Sequence, residues 1–171
     1  MTSQNTTCPS SAFTDWMDRE NDYERRFRPD APRVSPDRDV QLMKVRREQM
    51  DRRIEAVRAR GRVPRVVLYA RTMNGLRPDR SLAAAREFVE RMRWQLVRES
   101  VTDALDATSP EGRHGWQQVK GLVKSGFADG VVALTRAAIS PHPYDYEVEL
   151  TWFAMHSGFV ALVHAENVVP Q

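Results

Sequence analysis

The chain has 171 residues, with 26 Lys and Arg against 23 Asp and Glu and a formal net charge of +3. That length holds one core of ordinary size plus an appendage, and so small a positive excess permits a phosphate-bearing partner without demanding one. A single cysteine, Cys8, excludes an internal disulfide and a cysteine-built metal site and points to a reducing, cytoplasmic setting, while no run near 18 apolar residues and no basic-then-apolar leader exist, so neither a membrane span nor a secretory signal is expected.

Residues 1–12, "MTSQNTTCPSSA", are small and polar and form an expected disordered tail. Residues 13–63 read as a basic helical extension interrupted by prolines. A short helix over about 13–26 carries Phe13, Trp16, Met17 and Tyr23, and Pro29, Pro32 and Pro36 then force an extended linker. Ser35, Pro36 and Asp37 supply a start signal for a long helix that ends at Gly61. Its apolar residues Val40, Met43, Met50, Ile54 and Val57 form a narrow stripe broken by Arg47. Two uses of this helix compete. Either the stripe packs on the main domain or on a second copy, giving a homodimer through residues 37–60, or Arg52, Arg53, Arg58 and Arg60 contact the backbone of double-stranded DNA.

From residue 64 to 167 strand and helix patterns alternate. "RVVLYA" is a β-branched run suited to a strand buried on both faces, followed by the helix "PDRSLAAAREFVERMRW" and a weaker strand "QLVRES". "GWQQVKGLVKSG" is helical, with Trp116, Val119 and Val123 aligned. "GVVALT" is a strand, "YDYEVELTWFAMHSG" the last helix and "FVALVH" the last strand. This order predicts an α/β fold, a mostly parallel four-stranded sheet with helices on both faces.

In such sheets ligands bind beyond the carboxyl ends of the strands. Those ends place Tyr69, Arg71 and Met73 after the first strand, Asp103 after the second, Arg136 after the third and His164 after the fourth. "RTMNGLRPD" has Gly75 as its only glycine, which argues against dinucleotide and Walker-type phosphate loops. His114, His142, His156 and His164 are dispersed without i, i+4 pairs, so no metal is expected and no cofactor is implied. Trp94, Trp116 and Trp152 are expected in the core, and Asp103, Asp106 and Glu111 in a solvated loop.

"VVLYARTM", "RSLAAAREFVERMRWQLVRESVTD", "EGRHGWQQVKGLVKSGFADGVVALTR" and "SGFVALV" together resemble, in order and spacing, the catalytic domain of the serine recombinases, the resolvase and invertase family. The resemblance covers about residues 65–164. In that family a strand ending Tyr-Ala-Arg-x-Ser carries the nucleophile, which attacks a DNA phosphodiester, while arginines neutralise the transition state without a metal. The resemblance implies phosphate-binding roles for Arg71, Arg113 and Arg136, with Tyr69 and Asp103 in support. It also puts Met73 where the nucleophilic serine belongs, Thr135 where an aspartate precedes Arg136, and Ile139 where a further arginine follows.

A thioether has no ionisable proton and cannot replace an alcohol in covalent catalysis. Thr72 is the fallback hydroxyl, although strand alternation turns it to the face opposite Arg71 and Met73. Ser81 aligns with a helix-start serine expected to cap rather than react. The chain ends at "HAENVVPQ", where family members continue into a long dimer helix and a DNA-binding domain, so the resemblance implies a degenerate and truncated member. The expected function is a catalytically inactive recombinase-like protein that binds DNA or phosphate, or regulates, in recombination or mobile-element biology. Its expected partners are double-stranded DNA or a recombination complex. An active recombinase with a relocated nucleophile at Thr72 or Ser140, and a protein-interaction module without DNA binding, are the alternatives.

Overall fold

The computed structural model describes residues 37–72, 78–104 and 109–166, all within the compact unit Pro36–Gln171. The expected tail, the helix over 13–26, the proline linker, Met73 and Asp106 lie outside the described residues.

Four strands, β1 (Arg65–Thr72), β2 (Gln95–Ala104), β3 (Gly130–Ala133) and β4 (Phe159–Leu162), form one parallel sheet in the order β2-β1-β3-β4. The expected α/β class is the one observed. Val66 to Ala70 and all of β3 and β4 are buried, as uninterrupted apolar runs require of strands covered on both faces. Alternation sends Val67, Tyr69, Val131 and Val160 to one face, where Trp116, Val119, Tyr146 and Phe153 cover them. Val66, Leu68, Val132 and Ala161 go to the other, under Ala85, Val89 and Trp94. The covering elements are α2 (Asp79–Arg91) on the second face and α3 (His114–Lys124) and α5 (Pro143–Met155) on the first. Two short turns absent from the hydrophobic pattern, a 3-10 helix at Pro110–Gly112 and α4 at Arg136–Ile139, sit at the carboxyl edge.

Where β3 meets β4 the backbones approach closely. A Cβ on Gly130 would lie 2.7 Å from the Phe159 carbonyl oxygen and 2.8 Å from its ring carbons. Gly130→Ala is therefore expected to lose about 1–3 kcal/mol through overpacking. A thermal melt indistinguishable from the parent would show that the sheet absorbs the methyl.

The long basic helix is α1 (Arg38–Ala59), and it belongs to the core. Its start differs from the expectation: the Asp37 carboxylate accepts from the Asp39 N–H at 3.0 Å, so Asp37 rather than Ser35 is the cap. Its buried residues are Leu42, Arg46, Ile54 and Val57, whereas Val40, Met43 and Met50 are half-buried. Leu42 joins the cluster on one sheet face and Ile54 the cluster on the other, so α1 runs along the β4 edge and covers it. The alternating strand and helix pattern begins at residue 64, but the fold does not divide there. Full burial of side chains such as Leu42, Ile54 and Val57 contributes about 1.5–3 kcal/mol each. The stripe is thus occupied within the chain, and a dimer through residues 37–60 would have to use the outer face of α1.

An arginine reaches this buried face because a carboxylate meets it. Arg46 donates from Nε to Glu166 Oε1 at 2.6 Å and from Nη2 to Oε2 at 3.0 Å, and Tyr146 Oη donates to Oε1 at 3.0 Å. The pair is buried, with side-chain exposures of 4% and 0%. Burial alone would push the Glu166 carboxyl up, but the hydrogen bonds and charge of Arg46 outweigh it and hold it below the ordinary range. The same burial, with the Glu166 charge alongside, raises the Tyr146 phenol far above its ordinary value. A second buried carboxylate, Glu149, accepts from Trp116 Nε1 at 2.9 Å and from Lys120 Nζ at 2.7–2.9 Å, pinning α3 to α5.

Candidate functional site

The carboxyl ends of β1 and β2 lie side by side, with Arg71 paired in register to Asp103 and Tyr69 to Val101. Asp103 organises this edge. Its Oδ1 accepts from the Gly115 N–H at 2.7 Å, and its Oδ2 accepts from the Trp116 N–H at 2.8 Å and from Tyr69 Oη at 3.0 Å. The carboxylate on one strand therefore caps α3, a helix whose own N-cap residue, Arg113, makes no side-chain cap bond. Glycine at 115 permits this, because a Cβ there would stand 2.8–2.9 Å from the carboxylate atoms. The Tyr69 ring packs edge-on against Trp116 with centroids 4.8 Å apart. Burial pushes its phenol up to about 12; the Arg113 hydrogen bond opposes the rise and the Asp103 charge adds to it.

The three arginines assigned to phosphate binding do not share one environment. Arg113 is 2% exposed, and its Nη1 donates to the carbonyls of Ile139 at 2.6 Å and Ala138 at 3.2 Å, which fastens α4 to the start of α3. Arg136 pairs through Nη1 with Asp39 of α1. Arg71 is half-buried at the tip of β1. Thr72 lies in the strand, and its Oγ1 donates to the Asp103 carbonyl at 3.2 Å. Ser140 is buried, accepting from the His142 N–H at 3.1 Å and facing Asp145 Oδ2 at 3.3 Å. Ser81 does not cap: α2 begins after Pro78 and has no side-chain cap bond.

The arginines expected on DNA also separate. Arg58 and Arg60 are exposed, and Arg52 is exposed beside Glu48, its partner one turn earlier. Arg53 turns inward instead, donating from Nη2 to the buried Asp129 at 2.9 Å. Trp94 and Trp116 are buried, whereas Trp152 is half-buried and stacks on His156. Among the described residues no group of three His, Cys, Asp or Glu side chains could hold a metal ion, and no helix is long and apolar enough to cross a membrane. Arg46, Glu149, Asp129 and Glu166 are polar residues that hydrophobic patterning passes over. For Glu149 a signal exists: Trp116 and Lys120 are four apart on one helix face and converge on it.

A short parallel sheet, covered on both faces, with its polar groups gathered at the carboxyl edge, defines the class as an open α/β domain. No family model matches the chain, and no curated protein matches it in sequence. Among solved structures it is similar to the C-terminal catalytic domain of ISC1926 TnpA, an IS607-like serine recombinase, at 17% identity over 61% of this chain and 71% of that one, with a TM-score of 0.52. The N-terminal catalytic domain of TP901-1 integrase aligns at 22% identity over 57% of this chain and 76% of that one, with a TM-score of 0.49. A serine recombinase from Sulfolobus solfataricus aligns at 16% identity over 61% and 71%, with a TM-score of 0.46. The domain has the fold of a serine recombinase catalytic domain.

Proposed function

We propose that this is a catalytically inactive serine-recombinase-like protein that acts on recombination or mobile-element DNA in the cytoplasm through binding or regulation, with duplex DNA or a recombination complex as its partner. One observation carries the reading: the polar groups at the carboxyl edge are engaged in holding the fold. Asp103 caps α3, Tyr69 donates to Asp103, Arg113 donates to the α4 carbonyls and Arg136 pairs with Asp39. The sequence resemblance adds Met73 at the nucleophile position, Thr135 for an aspartate and Ile139 for an arginine. Of the arginines assigned to phosphate, Arg71 and Arg136 keep partial exposure and would serve an anion at this edge, Arg136 by exchanging its Asp39 partner for the anion. A dimer, if formed through residues 37–60, would use the exposed side of α1 around Val45.

Loss of a covalent nucleophile in comparable sites costs about six orders of magnitude in rate. The purified protein is therefore expected to leave supercoiled plasmid intact. Met73→Ser alone is expected to restore no cleavage, because Thr135 and Ile139 still leave the transition-state charge short of partners. Nicking by the parent protein, or a mass increase matching a covalent adduct at Thr72 or Ser140 after incubation with DNA, would replace this reading with an active recombinase.

A further inference from the structure

The amino edge of the sheet, opposite the edge that carries the resemblance to recombinase active sites, concentrates exposed positive charge. The turns that lead into β1, β2 and β3 lie next to one another: the Gln95 N–H donates to the Pro64 carbonyl at 2.9 Å and the Asp129 N–H to the Arg65 carbonyl at 2.6 Å. Arg58, Arg60 and Arg62 stand at the end of α1 and beyond it, Arg93 stands between α2 and β2, and Lys124 ends α3; all are exposed. Arg65 is half-buried among them. The buried carboxylate here, Asp129, is 1% exposed and is divided among Arg53, Arg62 and Arg65, at 2.9, 3.7 and 3.6 Å. Among the described residues no carboxylate pairs with Arg58, Arg60, Arg93 or Lys124.

Part of this charge answers the helix dipoles, since α1, α2 and α3 all end at this edge and a cation in a last turn is stabilising. That reason covers Arg58 and Lys124, which lie in last turns. Arg60, Arg62 and Arg93 lie past the helices. Arg93 also holds a left-handed backbone, φ 56°, a conformation that favours glycine and is strained for an L side chain. The equivalent turns after α1 and α3 use Gly61 and Gly126, with φ 68° and 74°, and the turn after α5 uses Ser157, with φ 54°. A guanidinium is kept on this edge where glycine would fit the backbone better.

From these observations we infer that the amino edge of the sheet is a docking surface for the phosphate backbone of double-stranded DNA. The turns into three adjacent strands, spaced by about 4.8 Å, bring these cations to one edge, as contact with a run of backbone phosphates requires. The inference rests on the DNA-binding reading above and assigns it a surface separate from Arg71 and Arg136.

The test is fluorescence anisotropy with a random-sequence 20-base-pair duplex, titrated between about 50 and 200 mM salt. It compares the parent, Arg60→Gln/Arg93→Gly/Lys124→Gln, and Arg47→Gln/Arg80→Gln/Arg86→Gln, which removes as many exposed charges elsewhere. The amino-edge triple is expected to bind at least about tenfold more weakly and to lose about 2–3 from the slope of log affinity against log salt, while the second triple changes little. Thermal melting monitors folding, and Arg93→Gly alone is expected to raise the melting temperature. Parent binding that survives the amino-edge triple, or falls equally in both triples, overturns the surface and leaves DNA binding standing. No parent binding at 50 mM salt overturns both, and capture of polyglutamate in its place would make the edge a protein contact.

Discussion

Replacing Arg46 with methionine is expected to lower the stability of the domain by about 3–5 kcal/mol, because it leaves Glu166 as a buried carboxylate without its counter-charge. The consequence reaches beyond the pair. Arg46 sits on α1 and Glu166 four residues beyond the end of β4, so the bidentate contact ties the first described helix to the last described turn. Urea unfolding of the parent and Arg46→Met reads the loss, and a difference below about 1 kcal/mol would mean that water reaches the carboxylate. Replacing the whole network, as Arg46→Met/Glu166→Leu/Tyr146→Phe, is expected to recover much of the stability, since matched apolar packing frequently equals a buried ion pair and leaves no orphaned phenol.

The same carboxylate sets an acid limit. Its folded-state value lies below the ordinary value of about 4.3 that it regains on unfolding. The unfolded chain therefore takes up the proton first as pH falls. The Glu166 contribution is complete above that ordinary value and is lost as pH falls through the folded value. Stability measured from pH 6 downward should fall less steeply in the triple variant than in the parent.

Asp103→Ala is expected to cost about 3 kcal/mol. The parent carboxylate accepts from two N–H groups at the start of α3 and from the Tyr69 phenol, and alanine leaves all three without that acceptor. Loss of a cap costs about 0.5–2 kcal/mol, and a buried donor left unsatisfied costs about 1–3. The two overlap, which keeps the total below their sum. Asp103→Asn retains one acceptor oxygen and should fall between parent and alanine in chemical unfolding. Equal stability of Asp103→Ala and the parent would show that water substitutes at the cap, and the polar edge would then be free to serve another role.

The parallel strands, the order of helices and the burial of Trp116, Val119 and Val123 were legible in the sequence, since uninterrupted β-branched runs and 3.6-residue spacing depend on local chemistry. So was the collinear resemblance to recombinases, because it lies in residue order. The path of α1 was not legible. Its buried face carries Arg46, and an arginine counts as buried only when Glu166, 120 positions away, is in place to neutralise it. For the same reason Asp103 read as a loop carboxylate, although the register of β2 against β1 and the close approach at Gly115 make it a helix cap. Residue order by itself determined the α/β class and the family likeness. Tertiary structure alone decided which charged side chains are internal partners and which still face water, because burial of a charge is settled by partners that local sequence does not contain.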